Sequence, residues 1–395
     1  MHRRTALKRS LSTVVAVSAL ASVPHAFAAD TIKIGWLSSL TGALSSAAIA
    51  ENQGVQFAIE QINKAGGING RQLELLTRDT AGDPTKAVNL ANQLIHSDKV
   101  AFIIGPVNSG ESLATVPVVA RAGVPNIVIS SVDELTDPVK YPRAFRVINT
   151  NEQWIRNGND YATKVLKKRK IALIGDNTGY GVATAKKAAA LLEAQGIKPV
   201  YSVVVDANKT SVTDEMTKAR EAGADVIMPW SAATGLLARI LNARGDMQWD
   251  VPVVGHPAIM ATPIKALLNV PSYWDNTYSV GYVSTTYDAS GKLPEATQKL
   301  MEEIRPKLGG KIDFTFWWVA MGYDAVKVIE HAIRTAGSTD PKAIQAALEK
   351  TQGLKGVYNT NYSFGPKERN GFQDSGMAIN RASSFKDGSF ERAPQ

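Results

Sequence analysis

Residues 32–46, IKIGWLSSLTGALSS, lead through residues 52–80, NQGVQFAIEQINKAGGINGRQLELLTRDT, to residues 81–95, AGDPTKAVNLANQLI. This is a strand–helix–strand–helix passage whose parts fit one another. Ile32, Ile34 and Leu37 make a short apolar strand that runs into Ser38, Ser39, Thr41 and Gly42. Small polar residues there leave backbone N–H groups free beside a helix start, which is how an anion site begins. The next helix spaces Val55, Ala58, Ile59 and Ile62 at i, i+3, i+4 and i+7. It stops at Gly66-Gly67, where positive φ is tolerated, and Asn69-Gly70 turns the chain into the following strand.

Beyond this passage, β-branched runs at Ala101–Ile104, Pro125–Ile129, Ile171–Ile174, Val200–Val205, Val226–Met228 and Val251–Val254 alternate with helical segments such as Lys86–His96, Lys186–Ala194 and Leu236–Ala243. Such βα alternation predicts an α/β fold with doubly wound parallel sheets, helices covering both faces. At 395 residues the chain exceeds the usual single core, so two domains are expected.

The N-terminus reads as an export signal. Arg3, Arg4, Lys8 and Arg9 precede an apolar run from Leu11 to Val23, and Ala26-Phe27-Ala28 forms a small-x-small cleavage site. The mature chain is expected to begin at Ala29. Arg3-Arg4-Thr5-Ala6-Leu7-Lys8 also approaches a twin-arginine signal, so both export routes stay open. There is no cysteine, hence no disulfide, no thiol chemistry and no lipid-modified N-terminal cysteine. A freely diffusing periplasmic protein is expected. The formal charge of +8 includes those four signal cations and no signal acid, leaving +4, too mild for a nucleic-acid partner.

The opening passage resembles the periplasmic solute-binding proteins of the branched-chain amino acid (leucine/isoleucine/valine-binding) type, receptors of ABC importers. AFIIGPVNSGES at 101–112, RAGVPNIVISSVDELTD at 121–137, IALIGDNTGYGVAT at 171–184, GADVIMPWSAATG at 223–235 and MGYDAVKVIEHA at 321–332 extend the resemblance over nearly the whole mature chain. It implies a type I periplasmic binding fold, two lobes joined by a three-strand hinge with crossings near Arg146–Thr150, Gly281–Thr285 and Gly356–Asn359. On that topology the signal occupies residues 1–28, lobe I residues 29–147 and 283–355, and lobe II residues 148–282 and 356–395. The segment Val357–Asn380 is expected as hairpin-like strands on the second lobe.

Ligands of open α/β sheets bind beyond the carboxyl ends of the strands, where helices present free N–H groups. Two loops of the first lobe meet that description: Gly105–Glu111, with Ser109 near a helix N-cap, and Ser130-Ser131 after the strand Pro125–Ile129. Serines at helix starts are commonly caps alone. The resemblance implies that Ser109 and one of Ser130 and Ser131 bind a carboxylate. It also implies that Tyr180, in Gly175–Gly181, faces the cleft from the second lobe. The loops Pro229–Thr234, with Trp230 and Ser231, and Gly255–Ala258, with His256, are expected to border it.

Where leucine-binding relatives hold the ligand's ammonium with a carboxylate and a tyrosine, these last two loops carry neither. A buried ammonium without an anionic partner is costly. The inference is a carboxylate ligand without an α-amino group, aromatic or aliphatic, unless Asp176 substitutes as the acid. Ala47 stands where some relatives place a tryptophan, which enlarges the pocket; Trp36, Trp230, Trp317 and Trp318 are possible walls.

The expected partners are therefore a small-molecule carboxylate and a membrane permease, with the protein itself a monomer needing no cofactor. A periplasmic sensory receptor with a separate signalling partner is the alternative of the same fold. An exported hydrolase is the enzyme alternative, but the three histidines beyond the signal lack metal-ligand spacing and Val107 breaks the G-x-S-x-G elbow around Ser109. No enzyme activity is expected.

Overall fold

The computed structural model describes residues 31–42 and 45–395; the export segment and its cleavage site lie outside them. In chain order the elements are β1 (Ile32–Ser38), α1 (Ser45–Lys64), β2 (Leu73–Asp79), α2 (Pro84–Asn92), β3 (Phe102–Ile104), α3 (Ser109–Ala122), β4 (Asn126–Val128) and β5 (Ala144–Arg146). Then come α4 (Asn151–Asp160), β6 (Ile171–Asp176), α5 (Gly179–Glu193), β7 (Tyr201–Val205), α6 (Thr213–Glu221), β8 (Val226–Trp230), α7 (Thr234–Asp246) and β9 (Val253–Gly255). The remainder is α8 (Pro263–Leu267), β10 (Thr277–Tyr282), β11 (Thr286–Tyr287), α9 (Glu295–Ile304), α10 (Trp317–Ala336), α11 (Pro341–Glu349), β12 (Met377–Arg381) and β13 (Phe390–Glu391).

Two sheets organise the chain. The first has the order β2-β1-β3-β4-β5 and is parallel throughout, with Ile34 opposite Leu75 on one side and Phe102 on the other. The second has the order β12-β10-β9-β8-β6-β7, parallel except for β12, which runs antiparallel to β10. Strand β6 is buried at every residue, as a parallel strand covered by helices on both faces must be. Its neighbour β7, at the sheet edge, alternates half-buried and exposed positions from Tyr201 to Val204 and is buried only at Val205. A small parallel pair, β11 with β13, lies apart.

The helical periodicity of α1 buries Val55, Ala58, Ile59 and Ile62 as expected. Its partner is α10, and the two backbones approach so closely that a Cβ on Gly54 would stand 2.0 Å from the Val319 carbonyl oxygen, and one on Gly322 2.2 Å from that of Glu51. Glycine is required at both positions. This contact brings residues 317–336 back to the first sheet after the chain has built most of the second.

Helix α4 follows the first sheet through a capping box. The Thr150 hydroxyl accepts from the Gln153 N–H at 3.2 Å, and the Thr150 N–H donates to Gln153 Oε1 at 2.8 Å.

The C-terminal segment departs from the expected hairpin on the second lobe: residues 357–371 pack on the first sheet, where the Arg146 N–H donates to the Arg369 carbonyl at 2.8 Å and the Gly371 N–H to the Arg146 carbonyl at 2.9 Å. Only Met377–Arg381 forms a regular strand there, while residues 357–372 are irregular. Buried Asp324 of α10 supplies the reason: it accepts from the N–H groups of Val357, Tyr358 and Asn359 at 2.8, 2.9 and 3.2 Å and from the Tyr362 hydroxyl at 2.9 Å. A side chain thus satisfies the backbone donors that a second strand would otherwise take. Among the described residues no helix is long and apolar enough to cross a membrane.

Candidate functional site

A cavity lies where the carboxyl ends of the strands of both sheets face each other. Its lining includes Val107, Asn108, Ser109, Ile129 and Ser131 from the loops after β3 and β4, with Ser46 and Ala47 of α1. From the other side come Tyr180 of α5, Ala232 and Thr234 around the start of α7, and His256, Ala258 and Ala261 after β9. Ile148 and Trp154 flank the connection after β5, and Trp317, Trp318 and Met321 of α10 complete the wall. The cavity volume is about 60 Å³, several times the ~10–15 Å³ that one water molecule needs.

Five helices, α1, α3, α5, α7 and α10, present their first turns to this space. Helix amino ends carry partial positive charge and unpaired N–H groups. None of the described lining residues is Asp, Glu, Lys or Arg.

The serines separate into different roles. The cap of α3 is Asn108, whose side chain accepts from the N–H groups of Gly110 at 2.8 Å and Glu111 at 3.3 Å. Ser109 is the first helical residue, and is spared from capping. Its hydroxyl accepts from Ser130 at 3.2 Å, so its own proton is left to donate into the cavity it lines. Ser130 stands behind it, off the lining, as the residue that orients it. Ser131 lines the cavity, but its hydroxyl donates to Asn151 Oδ1 and its carbonyl accepts from the Asn151 N–H at 2.7 Å.

On the opposite wall, Tyr180 follows the cap Thr178, whose hydroxyl accepts from the Gly181 N–H at 3.1 Å. Burial pushes the Tyr180 phenol well above its usual range, so it stays protonated. Its ring meets His256 at 4.9 Å between centroids, and Trp154 stands edge-on to His256 at 4.8 Å. His256 caps a short turn by accepting from the Ala258 N–H at Nδ1, 3.1 Å away, which places its proton on Nε2. Burial pulls its pKa down to about 3, partly offset by the Ser231 main chain, so the ring is a neutral donor.

Trp230 and Ser231 fall elsewhere than expected. Trp230 is fully buried in the core against α4, where a Cβ on Gly158 would touch its ring at 3.2 Å, and it does not reach the cavity. Ser231 donates to Asp176 at 2.5 Å and accepts from the Ala233 N–H at 3.0 Å, shaping the start of α7 from behind the lining. Asp176 is occupied by the Thr178 N–H at 2.8 Å, the Thr178 hydroxyl and Ser231, and lies off the lining as well. Trp36 is core too, its Nε1–H donating to Asn52 at 3.1 Å, whereas Trp317 and Trp318 are walls.

Trp154 and Ile148 are wall residues that the sequence expectations above do not include. The capping-box pattern Thr150-x-x-Gln153 directly before Trp154 marks the helix start that carries that ring to the cavity.

Comparison with known proteins agrees with this geometry. Residues 31–387 match the periplasmic binding protein family, and the chain belongs to that family, in its branched-chain amino acid-binding type. It is 30% identical over 340 residues to the Leu/Ile/Val-binding protein homolog 3 of Brucella melitensis, covering 85% of this chain and 87% of that one. The structure of LivJ from Streptococcus pneumoniae in complex with isoleucine superposes with a TM-score of 0.78 at 24% identity, covering 91% of this chain and 97% of that one. A solute-binding protein of an ABC transporter from Rhodopseudomonas palustris in complex with p-hydroxybenzoic acid superposes equally, TM-score 0.78 at 22% identity, over 93% of this chain and 96% of that one. The same fold therefore accommodates both kinds of ligand.

Proposed function

We propose that this protein is the substrate-binding component of an ABC importer, that it takes a small carboxylate lacking an α-ammonium group, and that it delivers this ligand to a membrane permease. The observation that carries the reading is a cavity faced by five helix amino ends whose described lining holds no carboxylate, lysine or arginine and a single, neutral histidine. Helix dipoles and neutral donors stabilise an anion, each charge-assisted hydrogen bond contributing roughly 1.5–3 kcal/mol. An ammonium group in the same place has no anionic partner, because Asp176 is spent on Thr178 and Ser231. The apolar and aromatic walls suit a ring or a branched aliphatic chain.

In this reading Ser109 donates to the carboxylate, Ser130 orients Ser109, and the main chain around Ser131 adds donors. Tyr180, His256 and Trp154 close over the ligand from the other side. Lobe I in this reading comprises residues 29–147 and 283–371, the 357–371 segment being held by Asp324 and β5, and lobe II residues 148–282 and 372–395, with closure about the connections near residues 146–150, 281–285 and 372–376. Closure forms a joint surface that a permease senses.

A thermal-shift panel of aromatic acids, short aliphatic acids and amino acids tests the proposal. A cognate ligand at about 100 times its Kd adds roughly 2.7 kcal/mol of stability. Stabilisation by leucine or valine, with none from acids lacking the amino group, would overturn it.

A further inference from the structure

Three segments far apart in the chain meet on one amide. Asn149, fully buried just after β5, accepts at Oδ1 from the Tyr282 hydroxyl at 2.8 Å and from the Tyr358 hydroxyl at 3.0 Å. Its Nδ2 donates to the Thr150 carbonyl at 2.9 Å. Tyr282 ends β10, and Tyr358 belongs to the segment held by Asp324. The Ser284 hydroxyl adds a further tie, donating to the Tyr358 carbonyl at 2.7 Å.

The direction of every bond in this cluster is fixed by chemistry. Trp154 Nε1–H donates to the Tyr282 oxygen at 2.9 Å, and an indole N–H can only donate. Tyr282 must then pass its own proton onward, which requires an acceptor at Asn149; the second lone pair of that oxygen takes the Tyr358 proton. Burial raises both phenols above their usual range, so both protons are present at any physiological pH. The rings reinforce the arrangement: Tyr282 and Tyr358 stand 4.5 Å apart between centroids, and Trp317 lies 5.0 Å from Tyr282.

Trp154 and Trp317 are also walls of the cavity. Residues that would touch a ligand are therefore joined, through Tyr282, to the amide on which the segments of residues 149, 282 and 358 converge. We propose that Asn149 is a positioning residue for lobe closure. It locks the connections near residues 146–150 and 281–285 to each other and to the Tyr358 segment that Asp324 holds, and ties their mutual angle to the cavity wall through Tyr282 and Trp154. The inference rests on the reading above, that the two lobes close on a ligand. A ligand shifts closure only by its differential affinity for the two states, and Trp154 is where this cluster meets the cavity.

The chain has no cysteine, so two introduced ones are unique labels. Lys64→Cys at the end of α1 and Lys198→Cys beyond α5 are exposed sites beside the first and second sheets. The lobe-to-lobe distance distribution is measured by electron spin resonance in the ligand-free mature protein and in Asn149→Ala, Tyr358→Phe and Tyr362→Phe variants. Asn149→Ala should broaden the distribution toward longer distances and Tyr358→Phe should do so less. Tyr362→Phe, which removes an equally buried hydroxyl that donates to Asp324 and not to Asn149, leaves the Tyr358–Asn149 bond in place and should leave the distribution unchanged. With benzoate and L-leucine as probes, dissociation of whichever binds should be about tenfold faster in Asn149→Ala, with association little altered. Folded Asn149→Ala and Tyr358→Phe proteins with the parental distribution would overturn the proposal; if Asn149→Ala does not fold, Tyr358→Phe alone decides. Binding of neither probe speaks against the ligand reading only, because the ligand-free distances judge Asn149 independently.

Discussion

Gly110, the second residue of α3, and Gly179, the first of α5, touch across the cleft: a Cβ built on Gly179 would stand 3.1 Å from Gly110 Cα and 3.3 Å from its N. The amino ends of one helix from each side of the cavity thus meet through their two smallest residues. Gly179→Ala demands a shift of a few tenths of an ångström; Gly179→Val demands several times that. Overpacking of this kind costs about 1–3 kcal/mol, charged here against closure rather than folding. Ligand affinity should fall less than tenfold in Gly179→Ala and more than tenfold in Gly179→Val, with the melting temperature of the ligand-free protein unchanged. Equal affinity of Gly179→Val and the parent protein would show that the two helices need not meet.

Ser109→Ala removes a cavity donor without removing the helix cap, which is Asn108. Carboxylate affinity should drop by about 1–3 kcal/mol in titration calorimetry. Ser131→Ala should cost less, since that hydroxyl is already engaged with Asn151. The reverse order of effects would transfer the main contact to Ser131.

His256 and Tyr180 are the titratable side chains of the lining, and burial holds the first down to about 3 and pushes the second well up. Neither changes charge between pH 5.5 and 8, and a carboxylate ligand is ionised throughout. Affinity should therefore vary less than about twofold over that range. Affinity that climbs as pH falls through the ordinary histidine range would mean that His256 binds the anion as a cation.

Glu51 of α1 is fully buried with both carboxyl oxygens unpartnered, and burial pushes its pKa well above the ordinary carboxylate range. The folded state then holds a proton that the unfolded state releases, so stability is fully present below the ordinary carboxylate pKa and is lost as pH rises through the raised one. Asp324, pushed up to about 6, contributes in the same direction between its ordinary value and that point. Glu51→Leu should raise the midpoint of denaturant unfolding at pH 8 by about 1–3 kcal/mol in stability and by much less at pH 4. A destabilised Glu51→Leu at pH 8 would assign Glu51 a partner.

Much of the fold was legible because parallel strands covered on both faces leave continuous apolar runs: Ile171–Ile174 and Val226–Met228 mark β6 and β8 within two residues. The site was legible as loops, since strand ends locate helix starts, and Ser109, Ser131, Tyr180, His256 and Ala47 all reach the cavity. Which side chain on a loop turns inward was not legible. That choice depends on neighbours distant in sequence: Gly158 opens the space that takes Trp230 into the core, and Thr178 with Ser231 consumes Asp176. Trp154 escaped notice for the same reason, because its place at the wall is set by the meeting of residues 149, 282 and 358.

The most direct measurement compares acids that differ only by the ammonium group. Calorimetric titration of the mature protein with L-leucine against 4-methylpentanoate, and with L-phenylalanine against 3-phenylpropanoate, isolates the contribution of that charge. The cavity predicts that the desamino acid binds more tightly in each pair that shows binding, the better one at micromolar Kd, about 8 kcal/mol. Tighter binding of L-leucine than of 4-methylpentanoate would contradict a site built for a carboxylate alone.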